Sequence, residues 1–308
     1  MKFYTHVDCL HHDPGAGHPE SPARLEVILN ALEGEQFSTI EKLEAPKATR
    51  EQLLRVHSAE HVERIFQHAS LNESIHLDAD TVMSAGSLEA ALHAAGAVCA
   101  AVDAVLAEKF MRAFCAVRPP GHHATHRQAM GFCLFNNIAL GAAQALAVHK
   151  LQRIAIVDFD VHHGNGTQDI FWNEPRVLFA STHQSPLYPG TGTSDEIGSG
   201  NILNAPLPSA AGSEEFRAAF ESIILPRLNQ FQPQLVLIST GFDAHRLDPL
   251  ANLNLETEDY AWVTRKLVEI ADQHACGRIV STLEGGYNLA ALKESVTAHV
   301  EAMMGGIV

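Results

Sequence analysis

Hydrophobic residues gather into short continuous runs along this chain. Ile154-Ala155-Ile156-Val157, Val177-Leu178-Phe179-Ala180, Leu235-Val236-Leu237-Ile238 and Ile279-Val280 show no polar alternation. Such runs predict strands buried on both faces, as in a parallel sheet. Phe114-Cys115-Ala116-Val117 predicts one more. Between the runs the spacing turns helical. Leu25, Ile28, Leu29 and Leu32 form a stripe behind Ser21 as N-cap and Pro22 at the first helical position. Helices are also expected over about 51–57, 59–68, 87–109 and 136–149. Others start near Ser213, with a kink or break at Pro226, run over 257–274 behind Thr257 as cap, and close the chain. The 87–109 stretch is Ala-rich on nearly every side, which fits a helix packed on more than one face. Leu77-Asp78-Ala79-Asp80-Thr81 reads as a polar loop between helices. Strands alternating with helices imply an α/β fold around a parallel sheet. No linker, repeat or composition break divides the chain, so residues 1–308 are expected to form a single domain.

Composition narrows the function classes. Hydrophobic residues make up 46% and charged residues 19%, enough for a full core. The formal net charge of −15 argues against a phosphate-backbone partner, which calls for a basic patch. The five cysteines are odd in number and include no C-x-x-C pair, so they form neither a disulfide framework nor a Cys-rich zinc module. Free thiols suit a reducing compartment. The first residues lack a signal-like apolar stretch, and Glu89, His93 and Asp103 interrupt the most apolar segment. The expectation is a cytoplasmic protein with no nucleic acid and no membrane among its partners. The oligomeric state is left open.

The chemistry lies where the strands end. Each apolar run feeds a loop bearing Gly, His or Asp, and in open α/β sheets ligands bind outside the carboxyl ends of the strands. The most crowded loop is Asp158-Phe159-Asp160-Val161-His162-His163-Gly164-Asn165-Gly166. Residues two apart on an extended chain share a face, which places Asp158, Asp160 and His162 together. Buried carboxylates need a partner or a metal, and an oxygen–nitrogen mixture suits zinc. His122 and His123 follow Pro119-Pro120-Gly121 and sit on a second loop.

Four segments together carry a resemblance. They are Arg118-Pro-Pro-Gly-His-His123, Asp158-Phe-Asp-Val-His-His-Gly-Asn-Gly-Thr-Gln168, Gly241-Phe-Asp-Ala-His245 and Leu283-Glu-Gly-Gly-Tyr-Asn288. In this order and over nearly the whole chain they resemble the zinc-dependent histone deacetylase superfamily, which includes acetylpolyamine amidohydrolases. The resemblance implies the arginase/deacetylase fold, a three-layer αβα sandwich around a parallel β-sheet. It implies one Zn2+ per chain, held by Asp160, His162 and Asp243. It assigns His123 as general base, His122 as the charge-stabilising partner, Asp158 as the carboxylate orienting His122, and Tyr287 as hydrogen-bond donor to the substrate carbonyl. Gly131, Phe132, Tyr188 and Leu250 match substrate-binding positions. A structural K+ site is implied at the backbone of Asp158, Asp160 and His162 with the Ser181 hydroxyl. The implied reaction removes acetyl or other acyl groups from the ε-amine of lysine in peptides or proteins.

Several residues qualify the match. Asn165 stands where one branch places an aspartate beside the second histidine; this resembles the class II pattern and implies a less basic His123. Tyr188 replaces a phenylalanine of the acyl-lysine tunnel. Leu250 occupies a position where polyamine-selective members of one branch carry glutamate, which favours acetylated lysine over acetylated polyamines as substrate. Asp78 or Asp80 matches an aspartate that binds the substrate backbone at the rim in relatives; capping a helix is the competing role. His163, His183 and His245 read as structural. An acetylpolyamine amidohydrolase remains the alternative. A two-manganese ureohydrolase fits His122-His123 and Tyr287 poorly, and retention of Tyr287 argues against a silent reader of acyl-lysine.

Overall fold

The computed structural model describes residues 1–69, 73–107 and 112–305. Its strands are β1 (Lys2–Thr5), β2 (Glu41–Glu44), β3 (Ile75–His76), β4 (Val82–Met83), β5 (Arg112–Cys115), β6 (Ile154–Asp158), β7 (Val177–Gln184), β8 (Ile202–Leu207), β9 (Leu235–Thr240) and β10 (Ile279–Leu283). Its α-helices are α1 (Pro22–Ala31), α2 (Arg50–Leu53), α3 (Ala59–Ala69), α4 (Ser87–Leu106), α5 (Asn137–Ala147), α6 (Asn165–Phe171), α7 (Ser213–Ala219), α8 (Leu225–Phe231), α9 (Thr257–His274) and α10 (Leu289–Met304).

The apolar runs lie side by side. Eight strands make one sheet in the order β2-β1-β5-β10-β9-β6-β7-β8, and every ladder is parallel. Every residue of β6, β7, β9 and β10 is buried, which is why their sequences show no alternation. Helices α4 and α5 pack on each other and onto central strands, while α9 and α10 form a second packed pair with α1 added. Helices thus flank the sheet in the expected αβα layering. Helix α4 is the one described helix long and apolar enough to cross a membrane, and 72% of its apolar window is buried in the protein.

Three strands of this sheet escaped the hydrophobic pattern, and their positions explain why. Strand β2 is Glu-Lys-Leu-Glu, exposed at one edge, where charge discourages further pairing. Next to it lies β1, Lys-Phe-Tyr-Thr, with only its middle residues buried. Strand β8 forms the other edge and carries Pro206, which lacks a backbone donor and is tolerated there.

Other boundaries shift in instructive ways. Strand β7 runs to Gln184, through Thr182 and His183, because its outer half pairs with β8. Glu256, not Thr257, is the N-cap of α9, and its backbone N–H donates to Asp259 at 3.0 Å. A π-helical turn over Phe220–Ile224 separates α7 from α8, which starts just ahead of Pro226. Leu77–Thr81 links β3 to β4 in a short antiparallel pair, not two helices. The described part of α4 ends at Leu106, and Lys109 lies outside the described residues.

Because the sheet is parallel, the loops after β5, β6, β7, β9 and β10 open at one edge. Strands β10, β9 and β6 are adjacent at the centre. Residues more than a hundred positions apart in sequence therefore meet there.

Candidate active site

The loop after β6 supplies Asp160 and His162, and the loop after β9 supplies Asp243. His162 Nδ1 lies 3.2 Å from Asp160 Oδ1 and 3.2 Å from Asp243 Oδ2. One donor atom from each residue falls within 4.8 Å of the others. Both carboxylates are buried and fixed by backbone donors. The Gly285 N–H reaches Asp160 Oδ2 at 2.8 Å, and the Val161 N–H reaches Asp243 Oδ1 at 2.9 Å. Gly241 and Gly285 permit this crowding: a Cβ on Gly241 would strike Asp160, and one on Gly285 would strike both Asp243 and Asp160.

The charge of this cluster bears on metal fit. Burial opposes a charged His162, but hydrogen bonds to Asp160 and Asp243 outweigh it and push its pKa up to about 10. Burial and the neighbouring Asp160 raise the Asp243 carboxyl above its usual range. Two carboxylates packed this closely hold a proton or a cation between them. Two oxygens and one imidazole nitrogen form a three-ligand set that suits zinc and leaves room for further ligands. The residues therefore fit the ion.

The loop after β5 carries the paired histidines. His122 Nδ1 donates to Asp158 Oδ2 at 2.9 Å, and its Nε2 lies 3.8 Å from Asp160 Oδ1. Burial disfavours charge on this ring, yet Asp158, Asp160 and Glu284 raise its pKa to about 10. His123 differs sharply. Its Nδ1 donates to the amide oxygen of Asn165 at 2.7 Å, which leaves Nε2 as the basic nitrogen. Burial, then the charges of His122 and His162, hold its pKa well below the ordinary histidine value. The rings lie 4.0 Å apart, with their pKa values pushed in opposite directions.

His122, His123 and His162 open onto a pocket of about 210 Å³. His122, His123, Gly131, Phe132, His162, Tyr188, Leu250 and Tyr287 all line it, together with Asp80, Pro120, Leu187 and Gly285. The Phe132 ring meets Tyr287 edge-on at 5.9 Å, and Tyr188 meets His123 edge-on at 5.2 Å. Gly131 and Phe132 both have positive φ, 55° and 67°. Phe132 is a bulky side chain in a left-handed conformation, a strain that the Thr81 hydroxyl helps hold by accepting its N–H at 3.1 Å. Asp78 closes its own turn by accepting from the Asp80 and Thr81 N–H groups, whereas Asp80 faces the pocket. Neither caps a helix.

Other candidate residues lie behind the pocket wall. Asp158, Asp160, Asn165 and Asp243 contact the lining residues without lining it themselves. Ser181 pairs in register with Asp158, and its hydroxyl bonds to His183 at 2.9 Å. His163 is buried between Thr191 and Gln168, as its structural reading requires.

Sequence reasoning passed over residues that hold this arrangement. Glu284 accepts from the Gly121 and His122 N–H groups at 2.7 and 3.1 Å, tying the paired-histidine loop to the end of β10. Asp248 accepts from the Tyr287 and Asn288 N–H groups at 2.7 and 3.2 Å. Arg24 donates to the carbonyls of Gly286 and Glu284, and its guanidinium sits 4.8 Å from the Tyr287 ring centre. Glu284 lies inside a recognised motif and offered a signal. Arg24, in a helix far back in the chain, offered none.

Comparison with known proteins agrees with this geometry. The family model for the histone deacetylase domain matches residues 18–303. The chain is 40% identical to "Histone deacetylase 14, chloroplastic" of Arabidopsis thaliana, across 94% of this chain and 73% of that protein. It is 41% identical to a "Probable deacetylase" of Archaeoglobus fulgidus, across 98% and 85%. It is 40% identical to a "Histone deacetylase-like amidohydrolase" of Pseudomonas aeruginosa, across 94% and 78%. A crystal structure of the HDA15 HD domain superposes with a TM-score of 0.94 at 36% identity, covering 99% of this chain and 88% of that one. Fold, cluster and comparisons converge, and the chain belongs to the histone deacetylase family of deacetylases and amidohydrolases, whose members imply zinc and acetylated substrates.

Proposed function

We propose that this chain hydrolyses the acyl amide on the ε-amine of lysine in peptides or proteins, releasing acetate. The observation that carries the reading is that His122, His123, Tyr287 and His162 line one pocket, with His162 tied to Asp160 and Asp243 in a three-donor cluster behind it. Zinc held by Asp160, His162 and Asp243 would polarise the amide carbonyl and acidify a water. His123, kept neutral by burial, accepts a proton at Nε2. His122, kept charged by Asp158, stabilises negative charge beside it, and a histidine returns a proton to the leaving amine. The Tyr287 hydroxyl donates to the oxygen on which charge develops. Burial holds that phenol well above its ordinary pKa, so it remains a donor throughout. Phe132 and Tyr188 supply apolar walls for a lysine stem. In this reading a structural K+ occupies the backbone of Asp158, Asp160 and His162 with the Ser181 hydroxyl.

An acetylated polyamine is the second candidate substrate. Asp80 favours it by placing a carboxylate in the pocket wall, where a second ammonium would pair with it. Leu250, also in the wall, supplies no charge and favours the peptide. A competition assay decides: zinc-loaded protein receives equal amounts of an acetyl-lysine peptide and acetylputrescine. Faster consumption of the peptide is expected. Preferential consumption of acetylputrescine would overturn the lysine reading while keeping the catalytic residues.

A further inference from the structure

Tyr287 lines the pocket from the short loop between β10 and α10. Gly285 and Gly286 lie just ahead of it, and Gly286 has a φ of 118°. Such a backbone has few preferences of its own, so contacts must set where the phenol stands. Two charged side chains grip the loop from opposite chemical sides. Arg24 takes the carbonyls of Glu284 and Gly286. Asp248 takes the N–H groups of Tyr287 and Asn288 at 2.7 and 3.2 Å.

Asp248 also reaches a second segment. It is buried, and both of its carboxylate oxygens are engaged. Oδ2 accepts the two N–H groups of the Tyr287 loop, while Oδ1 accepts the Leu250 N–H at 3.1 Å. Leu250 and Tyr287 both line the pocket, whereas Asp248 does not. One carboxylate thus ties the backbone of an apolar wall residue to the backbone of the hydroxyl donor. The anchor is itself fixed, because the Asp248 N–H donates to the His245 carbonyl at 2.8 Å, in the loop that supplies Asp243. Asn288 is the N-cap of α10, and a negative charge is favoured at that end of a helix.

We propose that Asp248 is a positioning residue that sets the Tyr287 hydroxyl and the Leu250 wall together. It acts through two backbones and touches neither substrate nor the reacting atoms. The inference rests on the role given to Tyr287 above. A carboxylate suits this task because it accepts on both oxygens, whereas an amide of the same shape accepts on one and turns an N–H toward the other partner. Alanine accepts on neither. Misplacing a reacting group by about 1 Å costs on the order of 10²-fold in rate, so loosening this anchor should be read in turnover.

The test uses zinc-loaded full-length protein with its four tyrosines replaced by meta-fluorotyrosine. Fluorine NMR gives one resonance per ring, and Tyr287→Phe identifies that of Tyr287. Asp248→Ala should shift this resonance and leave that of Tyr4, in β1, in place. In unlabelled protein Asp248→Ala should lower kcat about 10–10²-fold on an acetyl-lysine peptide and raise KM through the Leu250 wall. In a Tyr287→Phe background the same change should cost less than about twofold in kcat, because the two residues act as one unit, while the KM rise remains. Asp248→Asn keeps the volume and one acceptor; it should show smaller changes in the same directions, and it stands in should the alanine variant fail to fold. A stationary Tyr287 resonance, or kcat losses that multiply across the two substitutions, would overturn the proposal. An unchanged KM would break the link to Leu250. Parent-like turnover in Tyr287→Phe alone would instead sink the role given to Tyr287, and the fluorine spectrum would still judge Asp248.

Discussion

Two clusters of buried charge each reach Tyr287, one through Arg24 and the other through Asp248, and they are neutralised differently. In the first, Glu20 sits between Arg118 and Arg24 with His12 alongside, all nearly inaccessible to solvent. Arg118 also donates to the Cys9 and His12 carbonyls at 2.8 and 2.9 Å. Each charge there has a partner from the chain itself. In the second, Asp158, Asp160 and Asp243 pair with the imidazoles of His122 and His162, while Asp248 and Glu284 accept neutral backbone N–H groups and have no lysine or arginine partner among the described ion pairs. Burial and Asp243 raise the Asp248 carboxyl to about 7, and burial raises Glu284 to about 7 although His122 opposes it. The first cluster is complete as folded. The second carries surplus acid, which a protein tolerates where an external cation belongs. A self-neutral network supports structure; a network left acidic marks the place where chemistry is done.

That contrast is breakable, and the largest effect should come from removing the cation. Chelating the metal should abolish turnover and lower the thermal midpoint, with zinc restoring both; activity that survives full chelation would dissolve the distinction. Next comes Arg118→Met, which strands the Glu20 carboxylate and should destabilise by roughly 3–5 kcal/mol. Denaturant titration measures it, and zinc content of the folded fraction should not change. Tyr287→Phe should do the converse. Turnover should fall about 10²–10³-fold, the scale for one lost oxyanion donor, while the denaturation midpoint barely moves.

Acid sharpens the comparison further. Burial pushes the Glu20 carboxyl up, but Arg118 and His12 outweigh it and hold the pKa well below the usual range. The folded value therefore lies below the unfolded value of about 4.3. The stabilisation is complete above the unfolded pKa and is lost as pH falls through the folded one. Unfolding followed from pH 5 downward should show this loss, and Glu20→Gln should flatten that part of the curve. The smallest effect is assigned to Asn165→Asp. A carboxylate at His123 Nδ1 should raise that ring's basicity and move the acidic limb of the kcat/KM profile to higher pH. A profile that stays in place would separate His123 from the proton transfer.

The layout of the sheet was legible where strands are buried on both faces, because burial erases alternation and leaves an apolar run. At the edges it was not: β2 is charged and β8 contains a proline, and each needs only one neighbour. The pocket residues were legible because each strand end concentrates its chemistry within a few consecutive positions, such as Asp160 with His162 or His122 with His123. Their supports were harder to see. Arg24 contacts Gly286, and Glu20 contacts Arg118, through pairings that only the folded sheet creates. A lone arginine on a helix has no local pattern to announce a buried role.

The unusual backbone at Phe132 has a consequence for how such a pocket can diversify. One wall is held by the main chain itself, through Gly131, the left-handed Phe132 and the Thr81 hydroxyl. The facing wall hangs on Tyr188, 38% exposed in the loop after β7. Lineages that vary this scaffold have an anvil and an adjustable jaw. Replacing Phe132 disturbs a fixed contour, whereas trading Tyr188 for another side chain reshapes the opening and leaves the backbone as it stands.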